Sequence, residues 1–256
     1  MLNALKEWWS VVLALTLRDI GTRVRHNKAG LLFAIAEPLL YVFLLSGWYT
    51  WLQREQYYGS SILLFLATGF VPFFFFVNIS AGVTGIKKKD AEFAVVSQYD
   101  IFISHFVIGF VIMVASTIIS FSLIYCMGID NAVPFAPLNA IVAATFILIF
   151  ALGLGLVNCS VIRYFPIWQQ IYRHLSRALM VASGVLRVTI YFPVQVQKVI
   201  WWNPILHGIE WFRLGFYPNY PSSGFNRSYL ITCAIVILCL GLSVERASRS
   251  RVNEVW

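Results

Sequence analysis

Charge is scarce in this sequence. Asp, Glu, Lys and Arg make up 12% of its 256 residues, whereas hydrophobic residues make up 59%. Soluble domains have about 25% charged and about 45–50% apolar residues, so the composition excludes an ordinary soluble globular protein. A lipid bilayer is the natural solvent for such a chain. We therefore expect an all-α, polytopic membrane protein.

Motifs for chemistry are also lacking. The four cysteines have no Cys-x-x-Cys spacing, so neither a disulfide framework nor a zinc site is predicted. The nearest approach to the phosphate-binding loop of ATPases, residues 82–87, has the wrong spacing. There is no nucleophile elbow and no His-Glu-x-x-His pair. We expect no catalytic residue, metal or bound cofactor, so another subunit or an ion gradient must supply energy for any uphill step.

Six long apolar stretches are candidates for membrane-spanning helices, because roughly 20 apolar residues cross about 30 Å of hydrocarbon. The last two are short or interrupted. The predicted spans are residues 29–51, 62–85, 105–127, 138–162, 174–192 and 229–244. We expect one transmembrane domain, divided into a cytoplasmic interfacial helix (1–28), five spans (29–192), an external hairpin (193–227), a sixth span (228–245) and a cytoplasmic tail (246–256).

The positions of the basic residues predict the orientation. Most of the 19 Lys and Arg residues precede the first span, follow the sixth, or lie between the second and third or the fourth and fifth spans. Such residues are retained on the cytoplasmic side, so both termini are expected there. Because the basic residues are scattered over separate loops, they predict no nucleic-acid partner.

The N-terminal segment has apolar residues at helical spacing, which is typical of an amphipathic helix in the membrane interface. It is either a plain anchor or also a contact for a partner subunit. Glu37 is the one acidic residue well inside a span, either bonded near the helix end or functional. The candidate entry or interface residues are Arg18, Arg23, Arg25, Lys28 and Glu37.

The loop after the second span, residues 87–104, mixes charged and aromatic side chains. One interpretation is a short amphipathic helix on which a cytoplasmic motor docks, and the other is a solvated basic loop. The candidate docking residues are Lys89, Asp90, Glu92, Phe93 and Tyr99.

The fifth predicted span carries three arginines. On a continuous helix, Arg173, Arg177 and Arg187 fall within roughly an 80° arc and extend over about 21 Å. Arginine is costly in lipid, so this face is expected to line a water-filled cavity or a protein interface. It suits an anionic substrate. Alternatively, Arg173 and Arg177 are ordinary cytoplasmic residues and Arg187 reaches the other interface.

Residues 193–227 are too polar to cross the membrane fully and too apolar for a free loop. The pattern predicts two short helices, 194–202 and 204–216, with Asn203 as N-cap and Pro204 at the first helical position. His207, Glu210 and Arg213 follow at three-residue spacing and can pair with one another. The segment is predicted to be a helical hairpin that dips into the outer leaflet.

Aromatic residues make up 16% of the chain, and many of them gather near the predicted external face. They form either ordinary interfacial belts or surfaces on which sugar rings stack. The candidate substrate path consists of Phe33, Tyr41, Trp48, Trp201 and Trp202, together with the three arginines.

Several short motifs, in their order and spacing, resemble one family. They are Leu17-Arg18-Asp19-Ile20, Thr22-Arg23, Gly30, residues 34–38 (Ala-Ile-Ala-Glu-Pro), residues 69–74 (Gly-Phe-Val-Pro-Phe-Phe), Phe165-Pro166, and Trp202-Asn203-Pro204 followed by His207, Glu210, Arg213, Pro218 and Tyr220. The chain resembles the membrane permease subunit of ATP-binding-cassette (ABC-2) exporters of group 2 capsular polysaccharides, related to O-antigen and teichoic acid exporters.

The resemblance implies a homodimer of six-span subunits in the bacterial inner membrane, with two separate ATPase subunits that use ATP and Mg²⁺. The cargo would be a lipid-linked acidic polysaccharide moving from cytoplasm to periplasm, passed to periplasmic and outer-membrane export proteins. The loop after the second span would contact the ATPase, and the hairpin would form the external gate. Residues 96–100 (Val-Ser-Gln-Tyr-Asp) depart from the usual pattern there.

Two other functions are compatible with the sequence. The same fold can export another lipid-linked glycan, a lipid or a drug. An enzyme embedded in the membrane and acting on lipid-linked sugars belongs to a different class. It is disfavoured because no acid, base and nucleophile cluster on one face.

Overall fold

The computed structural model describes residues 10–11, 13–18, 28–52, 58–59, 61–82, 98–221 and 224–253. The regular elements in this part of the chain are helices. A first helix, α1, comprises the described residues among 10–18. The others are α2 (Lys28–Trp51), α3 (Ile62–Gly82), α4 (Gln98–Cys126), α5 (Pro137–Tyr164), α6 (Trp168–Ala182), α7 (Val194–Ile200), α8 (Pro204–Arg213) and α9 (Arg227–Asn253).

Four of these helices, α3, α4, α5 and α9, are long and apolar enough to cross a membrane. The all-helical membrane fold is therefore confirmed. Helix α2 has 24 residues and coincides with the first predicted span to within one residue. Helix α4 has 29 residues and begins at Gln98, so residues 98–104, predicted as part of a loop, extend this helix.

Helix α3 lies at the centre of the molecule. It contacts α2, α4, α5, α6 and α8, and every residue from 63 to 76 is buried. A helix that is apolar on all sides is stable only when it is surrounded. The phenylalanine run at residues 73–76 therefore forms part of the protein core.

Helices α5 and α9 approach each other closely through glycine. A Cβ added to Gly153 would lie 2.5 Å from the backbone nitrogen of Leu238, and one added to Gly241 would lie 2.5 Å from the carbonyl oxygen of Gly153. Small residues let helix backbones approach within membranes. This contact holds the last helix against the fourth predicted span.

Helix α6 corrects the predicted fifth span, residues 174–192. The helix ends at Ala182 after 15 residues, and Gly184 adopts a φ of +68°, the left-handed conformation that commonly terminates helices. About 22 Å of helix covers only part of roughly 30 Å of hydrocarbon, so this segment is not one continuous spanning helix. The chain continues through a 3₁₀ turn at Thr189–Tyr191 into α7 and α8.

Helix α1 contacts α4 through Thr16. Leu15 and Thr16 are buried, and the Thr16 hydroxyl donates to the Ser104 hydroxyl over 3.3 Å. Leu13 and Leu17, two of the apolar residues at helical spacing in this segment, are exposed. Those leucines are left free to face lipid, as an interfacial helix requires.

Candidate functional site

Arg213, the last residue of α8, joins four parts of the molecule. Its guanidinium is fully buried and donates to the carbonyl oxygens of Gly184 and Val185, each over 2.8 Å. Weaker contacts reach the Tyr220 hydroxyl at 3.3 Å and the Phe65 carbonyl at 3.5 Å. The guanidinium carbon also lies 4.0 Å from the centre of the Phe65 ring. Arg213 therefore fixes α8 against α3 and against the break that follows α6.

Gly69 on α3 makes room for this guanidinium. A Cβ at position 69 would lie 2.6 Å from Nη2 of Arg213 and 2.7 Å from the carbonyl oxygen of Val185. Any larger side chain would displace the guanidinium or the backbone it binds. Gly69 belongs to one of the motifs that carried the family resemblance, and this contact gives it a structural reason.

Asn203 ties the end of α6 to the start of α8. Its side-chain oxygen accepts from the backbone N–H of Ile205 at 3.1 Å, and Pro204 is the first residue of the helix. This is the predicted cap, and the structure confirms it. The amide nitrogen of Asn203 also donates to the Ser183 hydroxyl at 2.8 Å and to the Ala182 carbonyl at 3.4 Å. One side chain thus caps one helix and satisfies the carbonyl end of another.

His207 holds the connection between α7 and α8. Its Nε2 lies 2.9 Å from the Trp201 carbonyl oxygen, and its Nδ1 accepts from the backbone N–H of Asn226 at 3.3 Å. These two contacts require a neutral ring with the proton on Nε2. Burial lowers the pKa of His207, while its bond to the Trp201 carbonyl opposes that shift. The imidazole therefore acts as a fixed crosslink.

Glu210 is buried in the same helix, with 1% of its surface exposed. Its Oε2 has no hydrogen-bond partner among the described residues. Burial raises the pKa of Glu210 to about 6, and the nearby Thr189 hydroxyl and the charge of Arg213 act in the opposite direction. Ionising a carboxyl group in this buried position costs free energy.

The expectation that His207, Glu210 and Arg213 pair with one another is wrong for the two basic residues. The contacts of Arg213 are neutral carbonyl, hydroxyl and aromatic groups, and those of His207 are backbone groups and the Tyr229 ring. Arg213 and His207 point from one buried helix toward different neighbours. These two side chains anchor α8 in place.

The predicted stripe of three arginines is also wrong, because the helix ends before its third member. Arg173 and Arg177 lie on the exposed face of α6. Arg187 lies beyond the break, with its guanidinium carbon 5.6 Å from the centre of the Phe192 ring, and its Nε is buried without a hydrogen bond to a described residue. Arg173 and Arg177 remain available to an anion; Arg187 belongs to a separate environment.

The predicted path aromatics have unequal surroundings. Trp48 and Trp202 are exposed by 56% and 77%. Tyr41 is also exposed on one side and packs on the Phe70 and Phe74 rings on the other. Trp201 is only partly exposed. The side chain of Phe33 lies outside the described part.

A buried polar cluster at the end of α3 escaped the sequence interpretation. The Tyr172 hydroxyl donates to the Ser80 hydroxyl at 2.7 Å. Asn158 donates to the Ser80 carbonyl at 3.4 Å and accepts from the Trp168 indole at 3.0 Å. We call Ser80, Asn158, Trp168 and Tyr172 the polar cluster. Asn158 in an apolar span was the available signal, since a polar group there needs partners.

The candidate docking residues Lys89, Asp90, Glu92 and Phe93 lie outside the described residues, as do the side chain of Tyr99 and the candidate entry residues Arg23 and Arg25. Lys28 lies on α2 with its side chain not described. Arg18 is exposed on α1, and Glu37 is half-buried on α2. The polar cluster directly precedes the predicted docking loop, because Ser80 lies in the last turn of α3.

The described helices thus define a multi-pass membrane protein with a central span, a short sixth helix and two short helices anchored by buried polar residues. Residues 10–217 match the model of the family described as ABC-2 type transporter. The chain belongs to this family of transporter membrane subunits. Membership implies an ATPase partner.

Relatives with curated names align with most of the chain. It is 28% identical to the capsule polysaccharide export inner-membrane protein CtrC of Neisseria meningitidis serogroup A, over 91% of this chain and 89% of the relative. It is also 28% identical to the polysialic acid transport protein KpsM of Escherichia coli, over 91% of both chains. Identity to the capsule polysaccharide export inner-membrane protein BexB of Haemophilus influenzae is 25%, over 91% of this chain and 88% of the relative.

Proposed function

We propose that this chain is the membrane subunit of an ATP-driven exporter that moves a lipid-linked capsular polysaccharide across the bacterial inner membrane. Two copies would enclose the path, and two separate ATPase subunits would supply the energy. Alignment with relatives named for capsule polysaccharide export carries the proposal, since it covers 91% of the chain. The direction of transport is from cytoplasm to periplasm, with both termini of the chain cytoplasmic.

The anchoring of α7 and α8 supports a gate in this region. A gate element has to keep its shape while it moves, and α8 is held by Arg213, His207 and the Asn203 cap. Of these contacts, the one between His207 and the Trp201 carbonyl joins α8 to the end of α7. The two short helices are therefore suited to move as one rigid unit.

Helix α6 is suited to carry movement from the ATPase side to this gate. Near its first turn, Tyr172 bonds to Ser80 at the end of α3, just before the predicted docking loop. At its last turn, the carbonyl of Ala182 accepts from Asn203, the cap of α8. A short, amphipathic helix fastened at both ends acts as a lever. In our proposal, displacement of the docking loop tilts α6 and moves α8.

The substrate path in this proposal uses exposed groups of α2, α6 and the α7–α8 connection. Tyr41, Trp48 and Trp202 offer aromatic faces, and Arg173 and Arg177 offer guanidinium groups. Each contact has to be weak enough for a polymer to move on. Exposed side chains meet that requirement, because solvent screens their charges.

Deleting the gene in its host tests the proposal. We expect surface polysaccharide to disappear and polysaccharide to accumulate inside the cells, measured by sugar analysis of intact cells and lysates. A plasmid copy of the wild-type gene should restore export. An unchanged amount of surface polysaccharide in the deletion strain would refute the proposed function.

A further inference from the structure

A small pocket lies where α7, the α7–α8 connection and α9 meet. Its lining residues are Lys198, Trp201, Trp202 and Tyr229, and its volume is about 380 Å³. Small-molecule sites are concave, rich in aromatic side chains and have few polar groups, with volumes of about 300–1,000 Å³. This pocket is shallow and open to the surface, and its lining offers one cation and three aromatic rings. It lies on the side of the molecule that the proposed function makes external.

The backbone that carries the two tryptophans is held in place. The Trp201 carbonyl lies 2.9 Å from His207 Nε2, and the Trp202 carbonyl accepts from the Tyr229 hydroxyl at 2.9 Å. The rings of His207 and Tyr229 pack edge to face with centroids 5.1 Å apart. A binding surface on such a connection is preorganised, so little conformational freedom is lost when a ligand binds.

The Trp201 ring is fixed as well. A Cβ added to Gly224 would lie 2.6 Å from Cζ2 of this ring, so the glycine backbone lies directly against it. Gly224 also has a φ of +96°, a backbone conformation that residues other than glycine rarely adopt. Trp201 forms a rigid wall of the pocket, while Trp202, 77% exposed, offers its ring to a ligand.

The described lining of the pocket carries positive charge from Lys198. Between residues 188 and 244 Glu210 is the only acidic residue, and it is buried within α8. Lys198 is exposed in the last turn of α7 and has no ion pair with any residue that the structure describes. An anionic group that enters the pocket therefore meets an available ammonium donor and no carboxylate among the described lining residues.

We propose that this pocket binds an acidic sugar residue of the exported polymer. The apolar C–H face of the sugar packs on the Trp202 ring, and its carboxylate accepts hydrogen bonds from the Lys198 ammonium group. This inference rests on the proposed function. In this proposal, acidic glycans are selected at the α7–α8 connection, which is separate from Arg173 and Arg177 on α6.

Equilibrium binding to the purified full-length chain in phosphatidylcholine nanodiscs tests the inference. The probes are end-labelled oligosialic acid, oligogalacturonic acid and an uncharged dextran oligomer of matched length. We expect Lys198→Gln to weaken binding of the acidic probes about tenfold, the effect of one charge-assisted hydrogen bond, and to leave dextran binding unchanged. Lys198→Arg should retain acidic binding, and Trp202→Ala should weaken binding of all three probes.

Arg246→Gln, an exposed change on α9, is the matched charge control and should behave as wild type. Equal affinity of Lys198→Gln and wild type for the acidic probes would overturn the inference. So would failure of both acidic probes to bind, or Lys198-dependent binding of phosphatidylglycerol without sugar binding. Deletion of the gene tests export separately from sugar binding. If deletion abolished surface polysaccharide and Lys198→Gln bound the acidic probes as wild type does, only the inference about the pocket would be refuted.

Discussion

Replacing Arg213 by lysine keeps the buried positive charge but removes the planar guanidinium group that makes the hydrogen bonds. In the structure, two short bonds of 2.8 Å go from the guanidinium to the carbonyl oxygens of Gly184 and Val185. A lysine ammonium is a point donor and cannot reproduce that geometry. At least one buried carbonyl is left without its donor, which costs about 1–3 kcal/mol.

The aromatic contact adds to this loss. The guanidinium carbon lies 4.0 Å from the centre of the Phe65 ring, and a desolvated cation–π contact contributes about 2 kcal/mol. With part of that contact retained by lysine, we expect Arg213→Lys to destabilise the chain by about 3 kcal/mol in total. For a chain of this length the melting temperature should fall by about 10 °C.

Thermal unfolding of the purified protein in detergent, followed by size-exclusion chromatography with fluorescence detection, measures the effect. Arg177→Lys is the control, because Arg177 is exposed on α6 and should melt with wild type. The same Arg213→Lys protein should export less polysaccharide at the growth temperature. If Arg213→Lys melted within a degree or so of wild type, the central anchoring role of the guanidinium would be refuted.

Three further predictions concern packing, ionisation and coupling. Gly153→Leu should destabilise the chain by about 3 kcal/mol or prevent folding, because the new side chain meets the α9 backbone. The control Gly47→Ala, whose added Cβ meets nothing within 4 Å, should melt as wild type. Equal losses of stability in the two variants would contradict the close contact between α5 and α9. Glu210→Gln should raise the free energy of unfolding by about 2 kcal/mol near pH 7.5. The folded-state pKa of about 6 exceeds the ordinary 4.5, so the wild type loses stability as pH rises through 6. Parallel curves of unfolding free energy against pH for the two proteins would contradict this prediction. Tyr172→Phe removes the hydrogen bond to Ser80 and should lower export while the partner retains its ATPase activity. A proportional fall in export and in ATPase activity would argue against the role of α6 as a lever.

Most helices were predictable because their signals are local. The apolar run of residues 138–162 predicted α5, which spans Pro137–Tyr164, and length and composition are sufficient for such a helix. The cap at Asn203 and Pro204 was predictable for the same reason, since an N-cap acts on the residues directly after it. The structure confirms that cap.

The break after α6 was missed although a signal is present. Apolar residues continue from Val185 to Phe192, and hydropathy alone extends the helix through them. Ser183 and Gly184 mark the end, because glycine readily adopts the left-handed conformation that closes a helix. Giving this local signal more weight than hydropathy would have removed Arg187 from the stripe.

The contacts that assemble the site were beyond local patterns. Tyr172 and Ser80 are 92 residues apart, and Arg213 contacts Phe65 across 148 residues. No spacing rule predicts which carbonyl a buried guanidinium will bind. The sequence singled out Arg213, His207 and Glu210 as special, and only the packing of α8 shows that Arg213 and His207 bind different neighbours.

ATP-dependent transport in a purified system tests the central claim most directly. The chain and its ATPase are reconstituted into liposomes, with ATP and a lipid-linked acidic polysaccharide on the ATPase side and a glycosidase added to that side afterwards. We predict that polysaccharide becomes protected from the glycosidase only when both proteins and hydrolysable ATP are present. Equal protection without ATP, or no protection with the complete system, would contradict the account.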